Sequence, residues 1–218
     1  MAKAWSYSAL NQFETCPKQY YEEKIAKSVP FRESEAMADG KADHKALELR
    51  VVRNKPLPLG RRHLERFAKL VEKLPGSTTH GELKAALNAN YEPCDWFADD
   101  VWVRVIIDVI KTGDDSAFIL DWKTGKRKPD LDQLALMAAV VFSQLPEMQR
   151  ITAALVWTKS AKLDKKVYKR EELPALWNRF LPRVERFQHA FKTTTYPAKP
   201  SGLCRRHCPV ESCPHHGT

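Results

Sequence analysis

The sequence predicts an α/β or α+β fold, a mixed central sheet flanked by helices, and three observations carry that prediction. Two runs rich in β-branched and aromatic residues, VWVRVIIDVI from Val101 and AFILDW from Ala117, are joined by the turn signal TGDDS and read as a hairpin. A buried-helix pattern, DLDQLALMAAVVFSQL (130–145), then precedes a further strand, RITAALVW (150–157). The resulting order of strands, helix, strand and helix excludes an all-α or all-β architecture.

Taken in order, the opening SYSALNQFETCPKQYYEEKIA reads as two short helical pieces. Ser6 or Ser8 caps the first, Pro17 suits the first turn of the second, and Cys16 sits at their joint. Residues 35–52 are good helix formers, which places His44 and Glu48 on one helical face. Leu64, Phe67, Leu70, Val71 and Leu74 recur at helical spacing over 61–74. GELKAALNANY, from Gly81, supplies a strand ahead of the hairpin, and EELPALWNRFLPRVERFQHAF (171–191) is a long helix bent near Pro182. The tail from Thr195 has four prolines, two glycines, three cysteines and no helical periodicity. One domain over 1–218 is expected: a helical part (1–78), a core (79–194) and a cysteine-rich tail (195–218) packing with the Cys16 region.

With 36 Lys and Arg against 27 Asp and Glu, the chain carries a formal charge of +9, which favours a polyanionic partner. The charge is segregated. Residues 92–121 hold eight acidic against two basic residues, and 159–192 ten basic against four acidic, a pattern that suits a cation site facing an anionic substrate. Apolar runs fall short of the ~20 residues of a membrane span, and the start lacks a signal peptide's apolar stretch, so a cytoplasmic protein is expected. Five cysteines without an export signal argue for thiolate ligands rather than a disulfide framework.

Asp108 lies near the end of one hairpin strand, and Asp121 and Lys123 end the other. Residues 121 and 123 point to the same face of their strand, so the hairpin can gather all three at one sheet edge. Two close carboxylates repel, and keeping both ionised calls for a neighbouring cation. A hard divalent ion, Mg²⁺ or Mn²⁺, prefers such oxygen ligands and leaves room for water and a phosphate oxygen. Lys123 would orient the attacking water and offset charge building on phosphorus.

The run IIDVIKTGDDSAFILDWKTGK, preceded by GKADHKALE and followed by DLDQLALMAA, resembles the PD-(D/E)XK nuclease superfamily and, within it, the RecB-like branch of phage exonucleases and CRISPR-associated nucleases. The match runs over residues 6–145 through Gly40 and His44 on an early helix, Asp108, the trio Asp121, Trp122 and Lys123, and Gln133 on the next helix. It implies a restriction-endonuclease-like core in which His44, Asp108, Asp121 and the Trp122 carbonyl bind metal, Lys123 is catalytic, and Gln133 steadies the site or the DNA. The chain departs from the family pattern at Arg104, Val105 and Ile106, where a Gly is usual, and at Met137, where a Tyr is common.

Cys204, Cys208 and Cys213 lie within ten residues on an irregular tail and read as ligands, with a fourth supplied from elsewhere. The resemblance implies that Cys16, in its CPKQY segment, is the fourth and that the four hold a structural [4Fe-4S] cluster clasping the chain ends. Zn²⁺, with four thiolates or three and one of His207, His215 or His216, is the alternative, and free thiols the third reading. Cys94 stands apart as a structural residue.

Beside the site, Lys126, Arg127 and Lys128 can neutralise DNA phosphates, and Tyr20 or Tyr21 can stack on unpaired bases. The expected function is therefore a metal-dependent deoxyribonuclease, an exonuclease rather than an endonuclease. It would act on single-stranded or double-stranded DNA ends in recombination, repair or mobile-element processing, alone or with a recombination partner protein, in a bacterial or phage-infected cell. The alternative is a non-catalytic nucleic-acid-binding module or adaptor.

Overall fold

A computed structural model of the chain describes residues 3–218. In chain order it contains α1 (Tyr7–Thr15), α2 (Pro17–Tyr20), α3 (Glu35–Arg53), α4 (Glu65–Glu72), β1 (Thr78–Asn88), β2 (Val101–Thr112), β3 (Ser116–Lys123), α5 (Leu131–Gln144), β4 (Arg150–Trp157), β5 (Lys162–Lys169), α6 (Leu173–Asn178) and α7 (Leu181–Thr193). The chain divides into two compact units. Ser34–Trp177 forms one, and the segment up to Glu33 together with Asn178–Thr218 forms the other.

In the larger unit the five strands lie in sequence order, β1-β2-β3-β4-β5. All neighbours are antiparallel except β3 and β4, which are parallel and joined through α5. A parallel pair needs such a crossover. Val109 of β2, Leu120 and Trp122 of β3, and Ala154 and Val156 of β4 pack with Leu47, Leu64, Phe67 and Val71 into one core. Strand alternation then aims Asp121 and Lys123 at the opposite face, where α5 lies. From Leu134 to Phe142 every residue of α5 is buried, so this helix has no polar stripe.

Serine caps set the helix starts: Ser6 accepts from the Ala9 N–H at α1, and Ser34 from the Met37 N–H at α3. β1 begins at Thr78 rather than Gly81, the helix expected over 61–74 is a 3-10 segment (Leu59–Leu64) leading into α4, and two further elements differ from expectation. The lysine-rich stretch Lys162–Lys169 is the edge strand β5, which its composition concealed; charged edge residues are a common way of protecting an open ladder. The long helix expected over 171–191 is a 3-10 turn (Arg170–Glu172) followed by α6 and α7, because Pro182 lacks the N–H that a continuous helix would need there and suits a first turn instead.

In the smaller unit α1 and α7 pack through aromatic rings. Phe13 meets Phe187 edge-on at 5.3 Å and Tyr20 at 6.0 Å. Arg183 forks onto Glu14 at 2.7–3.2 Å and also donates to Asn11. The tail is tied to the α1–α2 joint by the Lys18 N–H donating to the Pro197 carbonyl and by Lys199 Nζ donating to the Glu14 carbonyl.

Candidate active site

The β2–β3 ladder ends at the pair Val109 and Leu120, which leaves Asp108 and Asp121 as the next opposed positions where the strands part. Opposed residues of an antiparallel pair share a face. Asp108 Oδ2 accepts from the Trp122 backbone N–H at 2.8 Å, satisfying a donor that the ended ladder leaves open. Asp108 Oδ1 shares a hydrogen bond with His44 Nδ1 at 3.3 Å. α3 can deliver His44 because Gly40, one turn earlier, lies against the segment after β3. A Cβ at Gly40 would stand 2.7 Å from Thr124 Oγ1.

Asp121 is buried, with 4% of its surface exposed. Its Oδ2 stands 2.6 Å from Lys123 Nζ, yet no donor is aligned with that oxygen for a hydrogen bond. Gln133 closes the ring from α5: its Nε2 donates to Asp121 Oδ1 at 3.0 Å, and its Oε1 accepts from Lys123 Nζ at 2.9 Å. His44 and Asp108 thus form one bonded pair, and Asp121, Lys123 and Gln133 a second, closed group; the two adjoin where Asp108 accepts from the Trp122 N–H, between Asp121 and Lys123.

Electrostatics follow from burial. Desolvation pushes the Asp121 carboxyl up to about 6, the Lys123 ammonium opposes it, and Asp108 adds to it. For His44 burial works downward but is outweighed by the hydrogen bond and charge of Asp108 and by Asp121, so its imidazole is raised. Among the described residues no three His, Cys, Asp or Glu side chains stand close enough as placed to hold an ion. In donor chemistry two carboxylates and an adjoining imidazole suit a hard divalent cation, with Asp121 Oδ2 paired meanwhile to the Lys123 ammonium.

Glu48 pairs with Lys45 Nζ at 2.5 Å, and Glu82 is exposed in β1. Met137 is buried, whereas Ile106 is half exposed. Lys126 and Lys128 are exposed in the segment between β3 and α5. Arg127, in the same segment, is ion-paired with Asp164 of β5. Tyr20, expected to stack on a base, is instead 5% exposed and packs in T-shaped contacts with Phe13, Phe187 and Phe191. Burial pushes its hydroxyl up to about 12.

Cys16, Cys204, Cys208 and Cys213 line one small pocket together with His215 and His216. The Lys199 N–H donates to Cys16 Sγ and the Ser201 N–H to Cys204 Sγ, each at 3.4 Å. Burial raises the Cys208 thiol, and the nearby Cys204, Cys16 and Cys213 raise it further. Thiolates are the donor type a thiophilic ion or cluster prefers, but as placed no three of these side chains form a metal-holding group. Cys94 lies in the other compact unit.

Asp164 escaped sequence reading. It is the one acid in a lysine-rich strand, and its partners Arg127 and Trp157 are distant or unremarkable in sequence.

Among known proteins, a family model described as PD-(D/E)XK nuclease superfamily matches residues 4–98 and 80–214. No curated protein matches the sequence. Two solved structures are similar at low identity. The crystal structure of SSO0001 is 11% identical with a TM-score of 0.44, over 100% of this chain and 89% of the other. A candidate exonuclease from Eubacterium rectale is 13% identical with a TM-score of 0.47, over 92% of this chain and 91% of the other.

Proposed function

This chain belongs to the PD-(D/E)XK nuclease superfamily, and from that premise we propose that it is a divalent-metal-dependent DNA exonuclease of the RecB-like branch. The supporting observation is that the His44–Asp108 pair and the closed Asp121, Lys123 and Gln133 group adjoin at the parting of β2 and β3. In this reading Mg²⁺ or Mn²⁺ is held by His44, Asp108, Asp121 and the Trp122 carbonyl. When bound, the ion supplies Lewis acidity at the phosphate and a more acidic water.

The chain's own groups do the rest. Lys123 is the catalytic cation: its ammonium orients the attacking water and offsets negative charge on the phosphoryl oxygens as the bond to the leaving oxygen breaks, leaving a 5′-phosphate. Gln133 is a positioning residue, since it holds both Lys123 and Asp121. Asp108 fixes the end of β3 through the Trp122 N–H and orients His44. Lys126 and Lys128 neutralise phosphates of the incoming strand.

We assign the cysteine pocket to a structural [4Fe-4S] cluster, with Zn²⁺ as the alternative occupant. The whole chain works as one nuclease domain: residues 1–78, the core over 79–194 and the tail from 195. The substrate is single-stranded or double-stranded DNA ends met in recombination, repair or mobile-element processing in the cytoplasm of a bacterial or phage-infected cell, with a recombination protein as a possible partner. No helix among the described residues is long and apolar enough to cross a membrane.

The test is digestion of end-labelled linear DNA and closed circular DNA in Mg²⁺ or Mn²⁺. The wild-type chain is expected to shorten linear DNA and spare circles, while Asp121→Ala and Lys123→Ala each lose about 10²–10⁴-fold in rate. Cleavage retained by both variants removes the assignment of the site. Cutting of circles makes the enzyme an endonuclease, and salt-sensitive binding without product makes it a binding module.

A further inference from the structure

We propose that Arg127 and Asp164 form a pin that fixes the basic segment between β3 and α5 over the site, with Asp164 as a positioning residue and Arg127 turned away from substrate. The proposal rests on the nuclease reading above and deepens it. Three observations support it. Arg127 forks onto Asp164: Nε donates to Oδ2 at 3.0 Å, and Nη2 donates to Oδ1. The same Oδ2 accepts from the Trp157 indole Nε1 at 2.7 Å, and Trp157 is buried, so the carboxylate is itself held by the sheet. Asp164 is only 14% exposed, against 45% for Arg127.

The register gives the pin its direction. Asp121 of β3 is opposite Leu155 of β4, which is opposite Asp164 of β5; Lys123 is opposite Trp157. Paired residues share a face, so Asp164 and Trp157 lie on the same face as Asp121 and Lys123, two strands or about 10 Å along for Asp164. Arg127 therefore draws its segment across β4 on the catalytic face. Gly125, two residues earlier, has no atom within 4 Å of where a Cβ would stand, so nothing packs on that side of it. Lys126 and Lys128 flank the pinned residue and are exposed. A bidentate Arg–carboxylate pair fixes orientation as well as distance, and ordering the segment beforehand reduces the cost of ordering it on the substrate.

The two possible roles of Arg127 give opposite signs at Asp164. If Arg127 contacts phosphate, Asp164→Asn removes a competing anion and binding is unchanged or tighter. If it is a pin, Asp164→Asn and Arg127→Ala both weaken binding alike. The experiment uses the full chain with Asp164→Asn, Arg127→Ala and the exchanged pair Arg127→Asp with Asp164→Arg. It reads KM and kcat on linear DNA, and amide hydrogen exchange over residues 124–130.

Expected are a KM raised about fivefold in both single variants with kcat within about twofold, exchange accelerated about tenfold over 124–130, and partial recovery of both in the exchanged pair, whose Arg at 164 cannot accept from Trp157 Nε1. Unchanged exchange over 124–130 in Asp164→Asn, or a lower KM there, overturns the pin. Hydrogen exchange reads the pin without any cleavage, so an inactive wild-type chain would overturn the nuclease reading and leave the pin to be judged on exchange alone.

Discussion

Asp121 carries the strongest electrostatic conflict in the site. Its carboxyl is buried, and desolvation with Asp108 nearby pushes it up to about 6 against the opposing pull of Lys123. A folded-state pKa above the unfolded value means that the native protein binds more protons between pH ~4 and about 6, so stability falls as pH rises through that window. In chelator, Asp121→Asn should thus raise the unfolding free energy by up to about 3 kcal/mol at pH 8 and by little at pH 4, read from denaturant melts. The same variant should be inactive. A melt at pH 8 no more stable than wild type would show that the buried charge is compensated. Gln133 belongs to the same scale. Gln133→Leu should lower kcat by about 10–100-fold with KM little changed, because Gln133 holds Lys123 and Asp121 rather than DNA.

At the scale of elements, the site depends on α3 approaching the end of β3. Gly40 permits that approach, since a Cβ there would meet Thr124 Oγ1 at 2.7 Å. Gly40→Ala should cost about 1–3 kcal/mol and reduce cleavage, because α3 also carries His44. Thr124→Ala removes the obstructing oxygen, so the double variant should recover most of the loss in thermal melts; failure to recover would place the strain elsewhere. Much of this architecture was legible in the sequence. β4 coincides with its predicted range over 150–157, and α5 lies within one residue at each end, because apolar runs bounded by turns leave few alternatives. β5 was illegible for a physical reason. Its pairing with β4 is stabilised by the ladder, while Leu163 and Val167 remain exposed among lysines, so no apolar alternation marks it. Asp108, Asp121 and Lys123 could be placed together from strand alternation and hairpin pairing, whereas His44 and Gln133 were implied only by the family resemblance. Their mutual hydrogen bonds, and the recruitment of Arg127 by Asp164, depend on side-chain directions and on a strand the pattern concealed.

Across the whole molecule, the N-terminal segment and the C-terminal tail share one compact unit, and Cys16, Cys204, Cys208 and Cys213 line one pocket there. The tail has one deeply buried apolar residue, Val210, and otherwise is organised by turns and by bonds to the α1–α2 joint. On the proposed assignment, a segment so poor in apolar contacts gains order from ligation. Anaerobically purified protein should contain iron and absorb near 400 nm, and Cys16→Ser or Cys213→Ser should remove both features, whereas Cys94→Ser should leave them intact. Stoichiometric zinc without colour would select the alternative occupant. Burial of Tyr20 inside the aromatic cluster was likewise invisible from sequence, since CPKQYY presents two adjacent tyrosines and only the helical phase of α2 decides which one faces the core.

The central claim is that Asp108 and Asp121 jointly hold a divalent ion beside Lys123. Calorimetric titration of Mn²⁺ into the wild-type chain, Asp121→Ala and Lys123→Ala tests it most directly. Binding is expected in the wild type, stronger binding in Lys123→Ala, whose ammonium no longer competes at 2.6 Å from Asp121, and none in Asp121→Ala. Equal binding in all three proteins would contradict the account.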